Sequence, residues 1–146
     1  MAVQNNQEQE LRKLSAEIQL LEQTAQSLQQ RINMMNAALT DLTYANMTLD
    51  GIKKEKNNAK LLVPIGGSSY IKVKLANVDT VIVGMGAGVS IEKTLPEAKT
   101  IVNERLTELQ KTMNSASQQF SQIVDRINKG RKRLETILSS ARAGKQ

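Results

Sequence analysis

Two seams of apolar residues, one toward each end of the chain, repeat with the same spacing. The first runs Leu11, Leu14, Ile18, Leu21, Ala25, Leu28, Ile32, Met35, Leu39, Leu42, Asn46, Leu49. The second runs Val102, Leu106, Leu109, Met113, Ala116, Phe120, Ile123, Ile127, Gly130, Leu134, Ile137, Ala141. Every step is three or four residues, the heptad pattern of a coiled coil. Two matched helices in one chain, with a stretch of different chemistry between them, most simply fold back and pair. At ~1.5 Å per residue an arm of about 45 residues is roughly 70 Å long. Such a pair has little interior in which to enclose a reaction.

The middle stretch alternates differently. Leu61, Leu62, Val63, Pro64 and Ile65 read as a strand, with Pro64 confining it to an edge or interrupting it. Ile71, Val73 and Leu75 alternate with Tyr70, Lys72 and Lys74, the period of a half-buried strand. Thr80 to Val83 form a third strand, and Val89 and Ile91 alternate with Ser90 and Glu92 in a fourth. Gly66–Ser68 and Gly84–Gly88 supply the turns, giving two β-hairpins in series. Residues 1–7 are polar and expected to fray. The spacing predicts helices over 8–52 and 95–141 with hairpins over 61–93, all in one domain of 146 residues. Thr94 and Glu97 have capping-box spacing at the start of the second helix, where Pro96 is tolerated. Asn46 takes an inward position, where a polar residue fixes register at a cost in stability.

The seams fit one antiparallel register best. It sets Leu11 by Ile137, Leu14 by Leu134, Leu28 by Phe120, Leu39 by Leu109 and Leu42 by Leu106. Small residues then meet large ones: Ala25 by Ile123, Ala116 by Ile32, Gly130 by Ile18. A one-heptad shift would put Ala25 against Gly130 and open a void.

Residue usage narrows the chemistry. Aromatics are 2% of the chain, too few for an ordinary compact core but natural for a seam of Leu, Ile, Met and Ala. With no cysteine and no histidine there is no thiol nucleophile, and the commonest general base and metal ligand are missing. Helical carboxylates lie off the seams. We therefore expect no enzyme, no metal and no cofactor. Gly84-Met85-Gly86-Ala87-Gly88 misses the dinucleotide fingerprint at Val89 and is followed by a strand; Gly66-Gly67-Ser68-Ser69 lacks the lysine of a phosphate loop. No apolar run nears the roughly 20 residues of a membrane span. The polar N-terminus carries no leader signal, so a cytoplasmic location without membrane contact is expected.

Three features leave open readings. Residues 126–146 hold Arg126, Lys129, Arg131, Lys132, Arg133, Arg142 and Lys145 against the single acid Glu135, a local +6 that equals the net charge of the whole chain. This end either meets an acidic partner or nucleic acid, or is a solvated helix end favoured by the dipole. At the distal tip, Leu11, Leu14, Leu134, Ile137 and Leu138 either expose apolar surface for other chains or zip the tip closed; Leu20, Val124 and Leu138 lie off the seam. Two hairpins are too little sheet to stand alone, so the middle segment either covers the base of its own coil or, the reading we favour, pairs with other chains to close a barrel.

Leu61-Leu62-Val63-Pro64-Ile65-Gly66-Gly67, then Tyr70-Ile71-Lys72, then Val81 through Lys93, resemble the prefoldin family, specifically its archaeal α-type subunits. The likeness spans nearly the whole chain and is most specific in the hairpins; β-type subunits carry one hairpin. It implies an α+β fold, a long antiparallel two-helix coiled coil with two β-hairpins between the helices, assembling into a β-barrel platform. It implies hexamers of two α and four β subunits that hold unfolded client proteins at the coiled-coil tips and pass them to a group II chaperonin without ATP. Leu11, Leu14, Ile18, Leu134, Ile137 and Leu138 are then client-contact candidates, and Val73, Leu75, Val81, Val83, Val89 and Ile91 candidates for barrel and subunit contacts. The competing reading is a structural or adaptor coiled coil that associates with ribosome or nucleic acid through its basic end.

Overall fold

The computed structural model describes residues 1–144. Helix α1 spans Ala2–Lys53 and α2 spans Leu95–Ala143, with strands β1 (Lys60–Gly66), β2 (Ser69–Lys74), β3 (Thr80–Gly86) and β4 (Val89–Thr94) between them. The expected order of elements is present. The chain divides into two compact units, one of Met1–Asn36 with Lys111–Gln146 and one of Ala37–Gln110. Lys145, part of the basic end, lies outside the described residues.

In the first unit the two seams make the core. Ile18, Ala25 and Ile127 form a buried cluster against which Leu14, Leu21, Phe120 and Ile123 pack. Gly130 faces Ile18 as the register predicts. A Cβ at Gly130 would lie 3.0 Å from Ile18 Cγ1 and 3.7 Å from Leu14 Cδ1, so the glycine is the recess that admits the isoleucine. Helix α1 begins at Ala2, not near Glu8. The first turns look polar in sequence, yet Val3 and Gln7 line a cleft with Leu11, Ile137 and Leu138, and that neighbour keeps them helical.

In the second unit the capping box closes as its spacing requires. Glu97 N donates to Thr94 Oγ1 at 3.3 Å, and Thr94 N donates to Glu97 Oε2 at 3.1 Å. At the other helix, Gly51 stays inside α1, and the end is marked by Lys54 N on Gly51 O and Glu55 N on Ile52 O. The hairpins form two separate antiparallel two-stranded sheets, β1–β2 and β3–β4, with no closed barrel in the single chain.

The strands are longer than the sequence suggested, and the turns shorter. Only Gly67-Ser68 and Ala87-Gly88 lie between paired strands; Gly84 to Gly86 belong to β3. Each turn has left-handed backbone at both central residues (φ +55 and +59, then +51 and +76), as the twist of a tight hairpin demands. Each is preceded by a glycine at φ +100 or +97, where the register slips by one residue to make a bulge. Between the hairpins, Asn77 Oδ1 accepts from Asp79 N at 2.8 Å and Asn57 Oδ1 accepts from Val78 N at 3.0 Å.

Candidate functional site

The distal candidates divide by burial. Ile18 and Ile137 are 8% and 6% exposed, inside the seam; Leu11, Leu14 and Leu134 are half-buried; Leu138 is 42% exposed. Leu14 and Ile18 meet around Gly130. Leu11, Ile137 and Leu138 meet in an open cleft of about 470 Å³ that Val3 also lines. Val3 stands 71% exposed and was missed by sequence reasoning because it sits among polar residues outside the first seam. Its signal was its spacing, a further two helical turns before Leu11. So the seam is zipped through Ile18 and Ile137, while Leu138 and Val3 carry open apolar surface beside it.

The basic end is tied to α1. Arg126 Nη2 lies 3.3 Å from Glu17 Oε1, and Arg133 places Nε and Nη2 at 3.0 and 2.8 Å from Glu10 Oε1. Arg131 pairs with Glu22. These side chains are about half exposed, so each pair contributes ~1 kcal/mol or less. The sequence showed an unbalanced cluster because the balancing acids lie more than a hundred residues away. Lys129 and Lys132 take no ion-pair partner among the described residues. Much of this charge therefore braces the coil.

In the second unit the hairpin candidates are graded similarly. Val83 is 8% exposed, Val73, Leu75 and Val81 are half-buried, and Val89 and Ile91 are exposed at 54% and 43%. Leu62, Ile65, Tyr70 and Ile82 add exposed apolar surface that period-2 reading had not singled out, since it gave one face to the core and the other to water. Here large side chains on both faces stand open, which marks an interaction surface. Arg105 reaches from α2 to donate to Gly84 O at 2.7 Å and so anchors β3. Asp50 pairs with Lys99; that hydrogen bond holds its carboxyl below the usual range against a small opposing desolvation, and Lys54 and Lys53 add to the effect.

Among the described residues no group of three or more His, Cys, Asp or Glu is placed to hold a metal ion. No described helix is long and apolar enough to cross a membrane. Two long helices framing paired β-hairpins, with apolar surface open at both, define a coiled-coil protein built for contact with other polypeptides. Comparison with known proteins gives the class its family. The family profile described as prefoldin subunit matches residues 21–139. The chain is 33% identical over 120 residues to prefoldin subunit alpha of Methanococcoides burtonii, covering 82% of this chain and 87% of that one. It is 30% identical over 135 residues to prefoldin subunit alpha of Pyrococcus horikoshii, covering 92% and 90%. In fold it is similar to a chain of the filamentous PFD from Methanocaldococcus jannaschii, seen by cryo-electron microscopy, with a TM-score of 0.61, 21% identity, and 83% and 94% coverage. The chain belongs to the prefoldin family and sides with its α subunits. Its role is that of a molecular chaperone, and the family is not an enzyme class.

Proposed function

We propose that this chain is the α-type subunit of a cytoplasmic, ATP-independent holdase. It assembles with β-type subunits as two α with four β, captures unfolded proteins at the distal end of its coil and passes them to a group II chaperonin. The observation that carries the capture step is the cleft at Leu11, Ile137 and Leu138, with Leu138 and Val3 exposed at its rim. A shallow apolar cleft gives each tip weak affinity for any unfolded chain. Several tips on one body then hold a client through effective concentration. The Met and Leu side chains of the seams suit promiscuous contact. Val73, Leu75, Val81, Val83, Val89 and Ile91 serve assembly, with Leu62, Ile65, Tyr70 and Ile82 beside them.

The test is light scattering as an unfolded client is diluted into buffer holding the chain and a β-type partner, without ATP. Suppressed aggregation at near-stoichiometric complex is expected. Val3→Ser with Leu138→Ser should weaken suppression severalfold while helicity and complex size stay unchanged. Full suppression by that variant would remove the cleft from client capture. Ile137→Ser is the wrong probe, because a buried seam residue would report unzipping instead.

A further inference from the structure

The two hairpins are copies of one another in register. Lys60↔Lys74, Leu61↔Val73, Leu62↔Lys72, Val63↔Ile71, Pro64↔Tyr70 and Gly66↔Ser69 become, twenty residues on, Thr80↔Thr94, Val81↔Lys93, Ile82↔Glu92, Val83↔Ile91, Gly84↔Ser90 and Gly86↔Val89, bulge included. Pro64 and Gly84 thus hold the same step. In an antiparallel ladder alternate residues turn their N–H and C=O outward. A proline facing its partner strand would forfeit a ladder bond, so this step faces outward. At it, β1 has no N–H to offer, and on β3 the Gly84 carbonyl is already taken by Arg105. Both first strands therefore have a blunted outer edge, by two different devices. The outer edges of β2 and β4 are left open.

On those open edges Lys72 and Glu92 occupy equivalent steps, both exposed, with opposite charge. We infer that β2 of one copy pairs antiparallel with β4 of a second copy of this chain, Lys72 opposite the partner's Glu92. In that register the outward residues Tyr70, Lys72 and Lys74 meet Thr94, Glu92 and Ser90, so the free backbone groups of both edges are satisfied. The apolar residues keep to one face, Val73 by Ile91. Pairing β2 with β2 would instead crowd Lys72 and Lys74 against their own copies. A two-fold axis repeats the contact, β4 with β2, and yields two four-stranded sheets from two chains. This deepens the assembly part of the proposed function and rests on it.

The test is sedimentation of the full chain, alone and with β-type subunits. Lys72→Glu is expected to raise the self-association Kd about tenfold, Glu92→Lys likewise, and the double exchange to restore it. The chain has no cysteine, so Val73→Cys and Ile91→Cys chains, mixed and oxidised, should give the mixed disulfide in preference to either homodimer. Unchanged helicity in each variant excludes misfolding. Self-association indifferent to both charge changes, or a dominant Val73→Cys homodisulfide, overturns the edge assignment and leaves assembly standing. A wild-type chain that is monomeric alone yet joins β-type subunits also overturns it. A chain monomeric in both settings overturns the assembly reading as well.

Discussion

Asn46 and Gly130 are the two residues at which the seams depart from apolar side chains, and they act oppositely. Asn46 Oδ1 is buried without a hydrogen-bond partner, so its desolvation is uncompensated. Asn46→Leu is expected to raise stability by about 1–2 kcal/mol, read as a higher Tm. Gly130 is isolated in a long helix, where glycine costs roughly 1 kcal/mol against alanine, but it houses Ile18. Gly130→Val should cost about 1–3 kcal/mol through overpacking, and pairing it with Ile18→Ala should recover part of that loss in a double-mutant cycle. At the second turn Ala87 sits at φ +51, where a Cβ costs about 1 kcal/mol. Ala87→Gly is expected to stabilise the fold slightly, as melting would register.

Elements were legible wherever a local rule governed them. Heptads announced both helices, and Thr94 with Glu97 announced the start of α2 to the residue, because a capping box is a contact between neighbours in sequence. Thr94→Ala should lose about 1 kcal/mol, measurable by chemical denaturation. What the sequence hid was set by partners far along the chain. Ala2–Gln7 looks like a frayed tail until α2 is placed beside it. Arg126, Arg131 and Arg133 look like a free basic patch until Glu17, Glu22 and Glu10 are brought opposite. Gly84 and Gly86 look like turn residues because glycine marks bulges as well as turns. For the client-contact candidates, helical spacing gave the face but not its depth. Ile18, Ile137 and Leu138 all read as tip residues, and only packing separates the two buried ones from the open one.

For the molecule as a whole, charge and burial belong to different tasks. The Asp50–Lys99 pair gives the second unit an acid limb. Because the folded carboxyl titrates below its unfolded value, its stabilisation is present at neutral pH. It fades as pH falls from about 3.9 through the lower folded value. The Tm difference between wild type and Asp50→Asn should therefore be visible at pH 7 and vanish in strong acid. The exposed arginine pairs of the first unit should respond to salt rather than to mild acid.

The repeat of the hairpins has a consequence for how such chains can be shortened. Because the second hairpin coincides with the first under a shift of twenty residues, the segment 65–84 can be excised as a unit. Pro64 would then run directly into Met85, and β1 would close on β4 with every cross-strand pairing, bulge and turn kept in place. A single in-frame deletion turns a two-hairpin chain into a one-hairpin chain whose strand edges are already correctly finished.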